Sequence, residues 1–105
     1  MYGYCYYNTT KGALVKFDIS KNGLYAEGTK LVAQALMGNQ IMTELNISGN
    51  FMTFDGRSNH GEMSGVSAIS NAIPTMGAMT SLNCSHNKLG AEGAKHIAAA
   101  LPKCK

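Results

Sequence analysis

The sequence predicts an α/β solenoid of about three repeats, with a parallel sheet on one side and helices on the other. Two observations predict this fold. A nine-residue frame, apolar at places one, four and six and asparagine at place nine, occurs three times and ends at Asn22, Asn50 and Asn87. After each frame comes a glycine followed by an apolar helical pattern. Internal repetition of one strand and one helix is typical of stacked repeat architectures.

The apolar places of each frame predict a short strand whose side chains pack between the sheet and the helices. The residues at places one, four and six are, in chain order, Leu14, Phe17 and Ile19, then Met42, Leu45 and Ile47, then Met79, Leu82 and Cys84. Another apolar residue stands two positions after each asparagine, namely Leu24, Met52 and Leu89. One unit cannot bury these side chains alone, so we expect neighbouring units to stack and share a core.

The asparagine at place nine is expected to end each strand in a tight turn. Its side-chain amide can bond backbone groups that strand pairing leaves unpaired. Stacking of the units would align Asn22, Asn50 and Asn87 into a structural ladder along the turns.

Helices are predicted from Gly28 to Leu36, from Gly65 to Ile73 and from Gly93 to Leu101. Apolar residues at the fourth, seventh and eighth positions after each glycine form one stripe. The small residues on this stripe would let each helix lie close to the sheet. Pro74 and Pro102 directly follow the last two helices, and proline at that point stops a helix.

The chain of 105 residues is expected to form a single domain. The repeats are assigned to residues 14–41, 42–78 and 79–105. Residues 1–13 form an N-terminal cap or a partial repeat, in which Tyr2, Tyr4 and Tyr6 alternate as in a strand. The second repeat is longer than the first and carries an inserted loop at residues 53–63, which is rich in Gly, Asn and Ser.

Composition and charge argue against several classes of function. The net charge is +3, from 9 Lys and Arg against 6 Asp and Glu, which is too weak to indicate binding to nucleic acid or a membrane. No apolar run is long enough to span a bilayer. Cys5, Cys84 and Cys104 are interpreted as free thiols of a cytoplasmic protein. Neither a metal nor another cofactor is predicted, because the frame places Cys84 inward and His86 at the strand's exit.

The segments from Asn22 to Gly28 and from Asn87 to Gly93, each followed by a helix rich in Ala and Leu, resemble the ribonuclease-inhibitor type of leucine-rich repeat. Similar repeats occur in Ran GTPase-activating proteins and in NOD-like receptors. The resemblance covers residues 14–101 and implies a short horseshoe, with the parallel sheet on the concave side and the helices on the convex side. Such repeats serve many partners, so the resemblance is specific for fold rather than for function.

The predicted function is that of a protein–protein interaction module that is not an enzyme. The concave face offers polar residues at the outward places of the frame: Lys16, Asp18, Glu44, Asn46 and Asn83. The inserted loop adds Phe54, Asp55, Arg57 and His60. The concave face has no Trp, Tyr or Arg, the residues that dominate binding energy at protein interfaces. A tight partner would therefore need the inserted loop or further repeats.

Three alternatives stay open. A GTPase-activating or GTPase-regulating protein of this fold would act through Arg57, on the loop that follows a strand. A second alternative is that the chain is a fragment of a larger leucine-rich-repeat receptor or scaffold. An uncapped third repeat, whose helix ends at Leu101, would also favour self-association, since solenoids need capping at both ends.

Overall fold

The computed structural model describes residues 6–10, 13–56 and 61–100. Their elements are, in chain order, β1 (Tyr6–Thr10), β2 (Ala13–Asp18), α1 (Tyr25–Leu36), β3 (Glu44–Asn46), α2 (Ser64–Ala72), a 3-10 helix (Ile73–Thr75), β4 (Ser81–Asn83) and α3 (Gly90–Ala100). Each α-helix begins one to three residues before its predicted glycine. Pro74 stands in the 3-10 helix directly after α2, as expected of a residue that cannot continue an α-helix. Leu101 and Pro102 lie outside the described residues.

The strands form one sheet in the order β1-β2-β3-β4. β2, β3 and β4 run parallel, and their registers bring Phe17 beside Leu45 and Leu45 beside Leu82. These are the residues at place four of the three frames, so the frames align at the level of the backbone. The prediction of an α/β fold with a parallel sheet is confirmed at this level.

β1 pairs with β2 in the antiparallel direction, with Tyr6 opposite Asp18 and Thr10 opposite Ala13. A preceding repeat would contribute a parallel strand, because every repeat runs in the same direction. The antiparallel direction therefore distinguishes β1 from the three parallel strands that follow it. Tyr2 and Tyr4, on which the predicted terminal strand also depended, lie outside the described residues.

The middle unit buries its frame most completely. Its apolar residues, all at most 2% exposed, are Met42, Leu45, Ile47 and Met52. The corresponding residues at places four and six of the outer units are half-buried: Phe17, Ile19, Leu82 and Cys84. All of them pack into or against one core cluster, to which α2 contributes Val66 and Ile69. The middle frame is the best buried because it has a neighbouring unit on each side.

The buried face of α1 differs from the predicted stripe. Ala26, Thr29, Ala33 and Leu36 are buried, whereas Ala35, which the stripe includes, is exposed. The predicted stripe is buried in α2, in the 3-10 helix after it and in the described part of α3. Its buried residues there are Ile69, Ala72, Ile73, Ile97 and Ala100. α1 packs against α2 through Ala26 and Thr29, so its buried face is turned toward that helix.

The small helical residues also act differently from the prediction. A β-carbon on Gly65 would lie 2.7 Å from the backbone oxygen of Ala26 and 3.0 Å from its α-carbon. Glycine at this point therefore permits α2 to approach α1 closely, rather than to approach the sheet. On Gly28 a β-carbon would meet the side chain of Leu24, at the turn just before α1.

Candidate functional site

The asparagine turns connect neighbouring units through side-chain to backbone hydrogen bonds. Asn50 Oδ1 accepts from the N–H groups of Asn22 at 2.9 Å and Leu24 at 3.4 Å. Asn87 Oδ1 accepts from the N–H group of Asn50 at 2.6 Å. The Nδ2 group of Asn50 donates to the carbonyl oxygens of Ile19, Ile47 and Ser48. Asn50 and Asn87 are at most 1% exposed. Each side chain bonds backbone groups of the preceding turn, not the side-chain amide of the preceding asparagine.

The three turns share one backbone conformation. The residues at place eight have φ between 56° and 67°, and they are Lys21, Gly49 and His86. The residues at place ten have φ between 54° and 60°, and they are Gly23, Phe51 and Lys88. A left-handed conformation costs an L-residue roughly 1 kcal/mol. Its recurrence at the same places indicates that the asparagine hydrogen bonds impose the same path on each turn.

The five residues predicted for the concave face lie together. Lys16, Asp18, Glu44, Asn46 and Asn83 line one open groove of about 410 Å³, to which Ser81 also contributes. The groove crosses all three parallel strands, because the register places the residues at frame place five, one from each strand, side by side. These side chains come from positions as far apart as 16 and 83, and the sheet alone brings them together.

Three groove residues also shape the strand ends. Each accepts a hydrogen bond from the N–H group of the serine two positions later, at 3.0–3.1 Å: Asp18 from Ser20, Asn46 from Ser48 and Asn83 from Ser85. Ser20 and Ser48 are buried, so neither is exposed on the face. The Nδ2 groups of Asn46 and Asn83 form no hydrogen bond with the described residues. Each amide thus supports the fold through its oxygen.

Lys16 and Glu44 form an ion pair across β2 and β3. The distance between Lys16 Nζ and a carboxylate oxygen of Glu44 is 3.3 Å, and the two side chains are 46% and 49% exposed. Exposed pairs of this kind contribute about 0–1 kcal/mol to stability. The pair therefore orients two opposite charges at the groove without contributing much to the fold.

The predicted inserted loop has a buried base. Thr53 is fully buried, and its hydroxyl donates to the carbonyl oxygen of Lys88 at 2.8 Å. The carbonyl oxygen of Phe54 accepts from the N–H group of Ala26, in the first turn of α1, at 2.9 Å. Hydrogen bonds therefore tie Thr53 and Phe54, the first two residues of the predicted loop, to the rest of the protein.

Of the four side chains predicted for the loop, the structure describes two. Phe54 is half-buried and Asp55 is exposed. Arg57 and His60 lie outside the described residues. Phe54 and Asp55 do not line the groove on the sheet, so the two predicted contact regions are separate surfaces.

Beside the loop lies an aromatic cluster that sequence reasoning missed. Tyr25 meets Phe54 edge to face, with ring centroids 5.3 Å apart, and Phe51 with centroids 6.1 Å apart. Tyr25 and Phe51 are nevertheless 38% and 41% exposed. The repeat alignment nevertheless marks two of these residues as unusual. Tyr25 stands where the third unit has Gly90, and Phe51 stands where the first unit has Gly23. Tyr25, Phe51 and Phe54 are called the aromatic cluster below.

No catalytic centre is evident among the described residues. Cys84 forms no disulfide, and burial raises the pKa of its thiol above the usual value, which favours the unreactive neutral form. No group of three or more His, Cys, Asp or Glu side chains within the described ranges could hold a metal ion. None of the described helices has the length and apolar character needed to cross a membrane. Cys5 and Cys104 lie outside these ranges.

Comparison with known proteins agrees with the repeat geometry. A family model described as leucine-rich repeat matches residues 79–98, which comprise β4, its asparagine turn and most of α3. The match supports a leucine-rich-repeat family and suggests a protein-interaction module rather than an enzyme. No curated protein and no solved structure matches the chain.

Proposed function

We propose that the chain is a short, ribonuclease-inhibitor-like leucine-rich-repeat solenoid that binds a partner protein and catalyses no reaction of its own. Its concave groove and the inserted loop at 53–63 are the proposed contact surface. One observation carries the proposal: five polar side chains, far apart in sequence, line the same groove on the face of the parallel sheet.

The chemistry of the groove suits a polar protein surface. Its polar side chains comprise an amine, two carboxylates, two amides and one hydroxyl, so the groove can both donate and accept hydrogen bonds. Opposite charges at Lys16 and Glu44 favour one orientation of a partner over others. Such a surface selects a partner with complementary charges and hydrogen-bonding groups. Most of the free energy of binding that partner must come from contacts elsewhere on the molecule.

The alternative of a GTPase regulator acting through Arg57 has no observation in its favour among the described residues. Arg57 itself lies outside them. Protein binding through the groove is therefore the proposal that the geometry supports best.

The test fills the groove without disturbing the fold. Ser81 is exposed, lines the groove and has no side-chain hydrogen bond among the described residues, so Ser81→Arg should fold normally and block the face. Gln34→Arg, on the exposed side of α1, is the matched control. Candidate partners would be captured with the wild-type chain, purified and titrated calorimetrically against all three proteins.

We expect Ser81→Arg to weaken binding by about tenfold or more, or about 1.4 kcal/mol, and Gln34→Arg to leave it unchanged. An arginine at position 81 would occupy part of the groove that the partner is proposed to fill, whereas position 34 does not line the groove. If every purified partner binds Ser81→Arg as tightly as the wild type, the concave groove is not the contact surface.

A further inference from the structure

The second and third repeats each contain two asparagines, and the two kinds use their amides differently. At place nine, Asn50 and Asn87 bond through both branches of the amide. Each Oδ1 accepts from the backbone, and each Nδ2 donates to three carbonyl oxygens. At place five, Asn46 and Asn83 bond through the oxygen alone. Their two Nδ2 groups therefore have no partner in the part of the chain that the structure describes.

Serines fix the orientation of the place-five amides. Asn46 Oδ1 accepts from the N–H group of Ser48 at 3.0 Å and from its hydroxyl at 2.8 Å. Asn83 Oδ1 accepts from the same groups of Ser85 at 3.1 and 2.8 Å. A backbone N–H group can only donate, so each amide turns its oxygen to the serine and its Nδ2 group lies on the opposite branch. Two donors of the groove are thus preorganised, which lowers the entropic cost of binding an acceptor.

Each of these donors stands near an acceptor on the same strand. Glu44 precedes Asn46 by two residues in β3, and Ser81 stands in the same relation to Asn83 in β4. Side chains two residues apart on a strand lie on one face, about 6.6 Å from each other. The ion pair with Lys16 uses Oε2 of Glu44, and Oε1 has no partner among the residues described. The parallel register brings the two acceptors side by side and the two donors side by side.

Donors and charges in the groove disfavour two of the three kinds of polar side chain that a partner could offer. A lysine or arginine only donates, so it would face the N–H groups of Asn46 and Asn83. An ionised carboxylate only accepts, and the carboxylates of Asp18 and Glu44 in the same groove repel it. A carboxamide is neutral and carries an acceptor and a donor on one carbon, so it can bond both groups of a strand.

We propose that the part of the groove formed by β3 and β4 binds glutamine side chains of an extended segment in the partner protein. The carboxamide oxygen accepts from Nδ2 of Asn46 or Asn83, while its N–H groups donate to the acceptor on the same strand. Glutamine fits better than asparagine, because its longer side chain lets the partner's backbone clear the exposed ion pair of Lys16 and Glu44. This inference rests on the proposed function, since it names the chemistry that the partner brings to the groove.

The first test titrates the ¹⁵N-labelled chain with synthetic peptides and follows the side-chain amide signals by NMR. Gln and Thr alternate in one peptide, and Glu replaces each Gln in the other. Non-specific attraction to a chain of charge +3 favours the acidic peptide, so tighter binding of the Gln–Thr peptide can only be local.

We expect the Gln–Thr peptide to shift the Nδ2 signals of Asn46 and Asn83, with a dissociation constant several times lower than that of the acidic peptide. The Nδ2 signals of Asn50 and Asn87 are the internal control, because these groups are bonded within the turns and should not shift. Unshifted signals of Asn46 and Asn83, or equal affinity for both peptides, overturn the proposal.

The second test replaces one donor without removing the contact that orients it. Asn83→Asp keeps an oxygen for Ser85 and puts a second oxygen where Nδ2 was, so it should weaken binding of the Gln–Thr peptide by about tenfold or more. Asn71→Asp is the matched control, because it adds the same charge at an exposed position of α2 and should leave binding unchanged. Thermal unfolding should give both variants the wild-type midpoint. Wild-type affinity in Asn83→Asp sinks the proposal.

Asn83→Asp also separates this inference from the proposed function. A captured partner that is lost in Ser81→Arg and weakened in Asn83→Asp supports both. A partner that is lost in Ser81→Arg but binds Asn83→Asp as tightly as the wild type keeps the proposed function and rejects the glutamine inference.

Discussion

The two joints between neighbouring units are alike at the turns and different at the helices. At the first joint Asn50 bonds the N–H group of Asn22, and at the second Asn87 bonds that of Asn50. Across the first joint Gly65 lies against the backbone of Ala26. Across the second, the described parts of α2 and α3 approach each other over a shorter stretch than α1 and α2 do. The described helices therefore contact each other more extensively at the first joint than at the second, although the turns repeat.

The glycines at the two joints show the reason. Gly93 occupies the same place in α3 as Gly65 in α2, yet a β-carbon on Gly93 would meet Leu89 of its own unit, at 2.9 Å. One glycine permits a contact between helices, and the other permits a contact between a helix and its own turn. Turn hydrogen bonds thus set the spacing of the strands, whereas side-chain volume sets the spacing of the helices.

The largest effect expected is loss of an asparagine amide. Asn50→Ala would leave two N–H groups and three carbonyl oxygens without this buried partner, so we expect a loss on the order of 3 kcal/mol in the free energy of unfolding. Because the turns are alike, Asn87→Ala should cost a similar amount. Urea titrations followed by circular dichroism measure both.

Asn50→Asp refines the same comparison. It keeps an oxygen for the N–H groups but replaces the donor with a second oxygen that faces three carbonyl oxygens. It should therefore destabilise at least as much as Asn50→Ala. An Asn87→Ala variant nearly as stable as the wild type would contradict the equivalence of the two turns.

A smaller effect should distinguish the helices at the two joints. Gly65→Ala places a β-carbon within 3.1 Å of three atoms of α1, two of them backbone, and should cost about 2 kcal/mol through overpacking. Gly93→Ala brings its β-carbon to 2.9 Å from Leu89 Cβ, a single close contact within its own unit, and about 1 kcal/mol of helix propensity offsets part of that cost. Thermal unfolding should give Gly65→Ala the lower midpoint by a clear margin, and equal midpoints would show that both joints tolerate the same volume.

The smallest expected effect compares two buried threonines. Thr29, at the first joint, is 1% exposed and its hydroxyl has no hydrogen-bond partner among the described residues. Thr29→Val should therefore raise the free energy of unfolding by about 1 kcal/mol. Thr53→Val is the control, because that hydroxyl bonds Lys88 across the second joint, and it should lower stability by a similar amount. If urea titrations show that both substitutions raise, or both lower, the free energy of unfolding, the two hydroxyls do not differ in hydrogen bonding as described.

The candidate site was predictable in part, for a physical reason. The groove residues could be named from the sequence, because alternation along a strand assigns each frame place to one face. The hydrogen bonds that Asp18, Asn46 and Asn83 accept from the serines two positions later were not foreseen, since they depend on the local path of each strand end. The aromatic cluster was missed because Tyr25 and Phe54 lie far apart in the chain and meet only where α1 packs beside the inserted loop.

The sequence by itself determined the repeating frame, the strand at its centre and the asparagine that ends it. These features depend on apolar residues and asparagines that recur at fixed places along the chain. Only the tertiary structure decided the antiparallel direction of β1, the rotation of α1 that buries Ala33 instead of Ala35, and the role of Gly65. These features depend on the volume and position of neighbouring elements, which no local pattern in the chain specifies.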